Sequence, residues 1–209
     1  MRRIMAGWAA GAGVIAGMLA LVGTARAHDG PHAPPGFEML NPAQREYVLP
    51  GPGEGVRVAL PSGWTGWTGH GVLILQEGLG LTEAPRVQVR YIEGRRAALD
   101  SASGEADRLV KENPSGAVTI TQPAHEAPEE GRAWAEFSWE GLLPMHDVPT
   151  AFKMEQYYQA CDLGVIEVVL GAPAGVWATA DRQPIQTMLG QMQCAPNPPA
   201  AGAADAAQP

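Results

Sequence analysis

The sequence predicts an α+β fold, an antiparallel sheet with packed helices. Apolar and polar residues alternate with period 2 along much of the chain, while two stretches carry an apolar stripe at helical spacing. The order is several strands, a helix, more strands and a final helix, which favours strands paired antiparallel over βαβ crossovers.

The elements follow in order. Val56, Val58 and Leu60 alternate with Arg57 and Ala59, and Val87, Val89 and Tyr91 alternate with Gln88 and Arg90, as half-buried strands do. Between them, Gly71 to Gln76 is a further strand. A helix is predicted from Ser103 to Glu112, with Ala106, Leu109 and Val110 facing inward. Ala117 to Gln122, Arg132 to Glu140, Ala151 to Ala160 and Val165 to Gly171 complete the strands. Gln122 to Gly131, with its prolines and glutamates, reads as a solvated hairpin connection. Cys161-Asp162-Leu163-Gly164 reads as a tight turn between two strands. After Asp181, Pro184 sits in the first turn of a helix whose stripe is Ile185, Met188, Leu189 and Met192, so Cys194 falls at its C-terminal end.

Met1 to Ala27 reads as a cleavable signal peptide. Arg2 and Arg3 precede an apolar stretch from about Ile4 to Val22, and Ala25-Arg26-Ala27 is an A-x-A cleavage site. Cleavage leaves an extended arm over 28–46, a single α+β domain over 47–194 and a disordered tail over 195–209 that is built mostly from Ala, Pro and Gly. The predicted location is periplasmic or secreted, with no stable membrane anchor after cleavage. The whole chain has a formal net charge of −8; loss of Arg2, Arg3 and Arg26 leaves 11 basic against 22 acidic side chains, a net charge of −11. That sign argues against nucleic acid and anionic membrane surfaces as partners. Cys161 and Cys194 are the two cysteines of the chain. In an oxidising compartment they are expected to form a disulfide, worth roughly 3–4 kcal/mol in the chain-entropy model.

Leu60-Pro61-Ser62-Gly63-Trp64, the mid-chain helix, and Val165-Ile166-Glu167-Val168-Val169-Leu170-Gly171-Ala172-Pro173 followed by Trp177 and a terminal helix resemble the PsbP/DcrB-like superfamily over roughly Tyr47 to Cys194. The resemblance implies an α/β/α sandwich and an exported, non-enzymatic accessory or assembly role, with an envelope protein as partner. It brings no catalytic motif with it.

The chain has no G-x-S-x-G, H-E-x-x-H, G-x-G-x-x-G or Walker motif, so no catalytic residue is predicted. The alternative function is copper binding. Cleavage after Ala27 gives His28 a free α-amino group beside its imidazole, a chelate suited to Cu(II), with His32 four residues on. A further imidazole would come from the folded body, from His70, His125 or His146, of which His146 in Met145-His146-Asp147 is preferred because thioether, imidazole and carboxylate lie together. The metal-ligand set on that reading is His28, His32 and His146. Trp64 and Trp67 bracket a Gly-containing loop, and Trp134 and Trp139 lie at opposite parity in one strand. These rings are read as cover for the sheet, with a stacking surface for a sugar or protein as the alternative.

Overall fold

The computed structural model describes residues 35–51, 54–78, 84–94, 96–114, 116–129, 132–145 and 148–196. In chain order the strands are β1 (Glu38–Met39), β2 (Glu46–Pro50), β3 (Glu54–Ala59), β4 (Trp64–Gly69), β5 (Val72–Glu77), β6 (Arg86–Glu93), β7 (Val118–Glu129), β8 (Arg132–Met145), β9 (Val148–Ala160), β10 (Gly164–Pro173) and β11 (Gln193–Pro196). The helices are α1 (Ala98–Glu112), α2 (Ala174–Trp177) and α3 (Gln183–Gln191). Eight strands form one antiparallel sheet in the order β1-β4-β5-β6-β10-β9-β8-β7, and a smaller sheet runs β11-β3-β2.

β10 shows how the layers arise. Its ten residues are all buried, because an almost unbroken apolar run fits a strand covered on both faces. Val165 and Val169 lie in the core beneath α1, with Ala102, Ala106 and Leu109 of the helix and Phe137, Trp139 and Met154 of the sheet. Ile166, Val168 and Leu170 face the other way, into a core shared with Leu49 and Val56 of the smaller sheet and Ile185, Met188 and Leu189 of α3.

Local chemistry sets the connections. His70 and Gly71 both have positive φ, 52° and 74°, the geometry of a two-residue turn that matches strand twist, and they join β4 to β5. The predicted turn after β9 is present, with the Cys161 N–H donating to the Gly164 carbonyl at 2.8 Å. α1 ends where the Asn113 amide donates to the Leu109 carbonyl at 2.8 Å, satisfying a terminal acceptor.

The α+β expectation, and with it the α/β/α sandwich drawn from the PsbP/DcrB-like resemblance, is overturned. The described chain is mostly strand, and its helices have only 15, 4 and 9 residues. α1 covers the β7, β8 and β9 part of one face, while on the opposite face much of the cover is a second sheet rather than a helical layer. Underestimated strand length accounts for the error. β7, β8 and β9 run 12, 14 and 13 residues, and most of the stretch read as a loop at Gln122 to Gly131 continues β7. Its prolines are tolerated because β7 is an edge strand, and its pairing shifts between Ile120 and Gln122 and again between Gln122 and His125. Cys194 likewise lies on β11, opposite Val56 of β3, and not at a helix end.

Candidate binding site

β6 carries the beginning of the site. Val87, Val89 and Tyr91 belong to the core shared with the smaller sheet, so Arg86, Gln88 and Arg90 occupy the other face of the strand. Alternation alone makes that a solvated face. Instead Gln88 is 4% exposed, and its surroundings are equally enclosed: Thr65, Gln76, Gln156 and Glu167 are all buried. A band of polar side chains thus crosses β4, β5, β6, β10 and β9 beside the core beneath α1.

Glu167 is its best-matched member. It is in register with Arg90 on one side and Tyr158 on the other. The Arg90 guanidinium grips both carboxylate oxygens, Nε on Oε2 and Nη2 on Oε1 at 3.1 Å, the two-pronged geometry that makes such pairs strong. The Tyr158 hydroxyl lies 2.8 Å from Glu167 Oε1 and 2.8 Å from Gln156 Oε1. Its single proton serves one acceptor at a time, and rotating the Gln156 amide would present an N–H to the phenol and satisfy both. Burial, then the charge of Glu167, pushes the Tyr158 phenol well above its ordinary pKa.

Arg86 is matched less well. Its Nε donates to Gln76 Oε1 at 2.8 Å, but Nη1 is buried and has no hydrogen-bond partner. Burial lowers its pKa. On the same face, Trp67 of β4 is 6% exposed and its indole N–H is also buried without an acceptor.

A second polar group occupies the opposite face of β7, β8 and β9. Arg182 donates to Glu155 Oε1 at 2.6 Å while lying 4.3 Å from the centre of the Trp177 ring. Tyr157 donates to Glu155 Oε2 at 2.7 Å. Burial, then the charge of Glu155, pushes the Tyr157 phenol upward. His125 Nε2 lies 3.2 Å from Glu136 Oε1 and its Nδ1 lies 3.0 Å from the Pro123 carbonyl.

Comparison with known proteins yields no family. No protein-family model matches the sequence, and no curated protein does. Among solved structures, a protein of Bacteroides thetaiotaomicron VPI-5482 is similar at a TM-score of 0.45 and 12% identity, over 68% of this chain and 45% of that one. The chain therefore spans less than half the length of that protein.

Of the residues singled out from sequence, Cys161 and Cys194 are joined in a disulfide with Cα atoms 5.9 Å apart. The proposed metal ligands His28, His32 and His146 lie outside the described residues. The two other imidazoles cannot meet. His70 is in the β4–β5 turn, edge-on to Phe37 at 5.6 Å, and His125 is on β7, five to six strand spacings away across the sheet, or about 24–29 Å at ordinary strand spacing. Among the described residues no group of three or more His, Cys, Asp or Glu could hold a metal. Trp64 is half-buried against the core of the smaller sheet and Trp67 is buried on the other face, so the pair does not form a joint stacking surface. Trp134 and Trp139 do lie on opposite faces, each 1% exposed.

Sequence reasoning passed over Arg86, Gln88, Arg90, Gln156, Tyr158 and Glu167. One signal was there to be read: a lone Glu inside Val165-Ile166-Glu167-Val168-Val169-Leu170 needs a partner if the strand is buried.

Proposed function

We propose that this chain is an exported binding protein without a catalytic step of its own, acting as an accessory or assembly factor for an envelope protein complex once its leader is removed. The Cys161–Cys194 bond carries this reading, because disulfides persist in oxidising compartments and are rare where thiols are kept reduced. Among the described residues no helix is long and apolar enough to cross a membrane.

Binding is favoured over catalysis by the state of the site. General acid–base work needs groups that change protonation near neutral pH. The Tyr157 and Tyr158 phenols are pushed away from that range, and the carboxylate of Glu167 is occupied at both oxygens. Leu142 and Val110, 58% and 51% exposed, are apolar side chains available to a partner.

The test is made in cells that express the full chain. Intact mass should match a protein beginning at His28 and two hydrogen atoms lighter than its reduced form. A photo-cross-linking residue at Leu142 or Val110 should yield one discrete adduct in the envelope fraction. An uncleaved, reduced chain in the cytoplasm, or no adduct from either position, would refute the proposal.

A further inference from the structure

We infer that Arg86 anchors a small organic carboxylate, whose charged group lies over Gly171 on the polar face of the eight-stranded sheet. Two cross-strand positions of β6 and β10 differ in what faces the arginine. At one, Arg90 is in register with Glu167, and the side chain across the ladder supplies the carboxylate. At the other, four residues earlier on the same face, Arg86 is in register with Gly171, where the chain supplies no side chain at all. Among the described residues the arginine is kept and no carboxylate is paired with it.

The remaining neighbours do not make up the difference. Across β5, Arg86 faces Gln76, whose amide oxygen takes the Nε proton but brings no charge. Nη1 stays buried and unpartnered, and no carboxylate lies within ion-pairing distance of Arg86 among the described residues. Enclosing a guanidinium without an anion is costly, and planar donors arranged as a fork fit a carboxylate from outside the chain. The lowered pKa of Arg86 is the response expected of a buried cation with no anion beside it.

The ligand's class follows from the rest of the face. Gln88 lies two residues along from Arg86, and Ile74 and Trp67 follow it across β5 and β4. Trp67 holds another buried donor that lacks an acceptor, as Trp134 and Trp139 of β8 also do, and Ile74 is 4% exposed. A carboxylate on a compact, partly apolar body bearing an acceptor suits these neighbours. This inference stands apart from the accessory role and survives if no envelope partner is found.

The experiment follows thermal unfolding of the full exported chain in increasing sodium acetate or sodium phenylacetate, against sodium chloride at equal ionic strength. The parent should melt at rising, saturating temperatures in at least one carboxylate, as ligand linkage requires. Arg86→Gln should weaken the apparent affinity by about tenfold or more, the usual effect of losing a charge-assisted bond. Gly171→Glu should place a carboxylate in cis, as Glu167 does for Arg90, and abolish the response to added carboxylate. A parent that responds no more to carboxylate than to chloride overturns the inference. So does a folded Arg86→Gln or Gly171→Glu protein that keeps the parent's response.

Discussion

A charged residue in the middle of a buried strand must be matched from outside that strand. Glu167 is 1% exposed and meets Arg90, 77 positions earlier in the chain, together with Tyr158 from the next strand. Cutting it back to alanine leaves the Arg90 charge without its acceptor and the Tyr158 hydroxyl with Gln156 alone. Breaking a buried pair from one side costs about 3–5 kcal/mol, so Glu167→Ala should lower the urea midpoint accordingly. Glu167→Gln keeps an acceptor oxygen and should lose roughly 1–3 kcal/mol. A change below about 1 kcal/mol for Glu167→Ala would show that the network contributes little to stability. The need for a partner was legible in the sequence, since one acid interrupts six residues that otherwise are apolar. Its identity was not, because no local pattern links β6 to β10 across 77 positions.

Periodicity located most elements but not their full extent. α1 has its apolar stripe at Ala102, Ala106 and Leu109, and it begins at Ala98, five residues before the predicted start at Ser103. The phase differs by one detail: Val110, expected to face inward, is 51% exposed, whereas Leu109 is fully buried. Leu109→Ala should therefore cost about 2–5 kcal/mol by leaving a cavity, while Val110→Ala stays within about 0.5 kcal/mol, both read from denaturant titration. Comparable losses would mean that the helix is rotated about its axis from the position described. β7 was misread for a different reason. Pro123 and Pro128 are turn signals in most settings, but an edge strand has a row of N–H groups that need no ladder partner, so proline is compatible there. Whether a strand lies at an edge depends on the whole sheet order, which local alternation does not encode. The polar face of β6 was misjudged in a related way, since alternation separates two faces without saying what covers each.

At the scale of the molecule, the disulfide joins two layers. Cys161 follows β9 of the eight-stranded sheet and Cys194 lies on β11 of the smaller one, so the bond ties the two sheets together near one end of their shared core. The smaller sheet has only three strands, and its contribution to that core includes Leu49, Val56 and Val58. Small sheets depend on what they pack against for stability. Replacing both cysteines by serine should cost about 3–4 kcal/mol for a closed loop of this length. The loss should also be uneven. Amide exchange should accelerate first in β11, β3 and β2, while β8, β9 and β10, paired on both sides within the larger sheet, keep their protection longest. Loss of protection spread evenly over both sheets would instead mean that they open as one cooperative unit, with the bond acting through the unfolded chain alone.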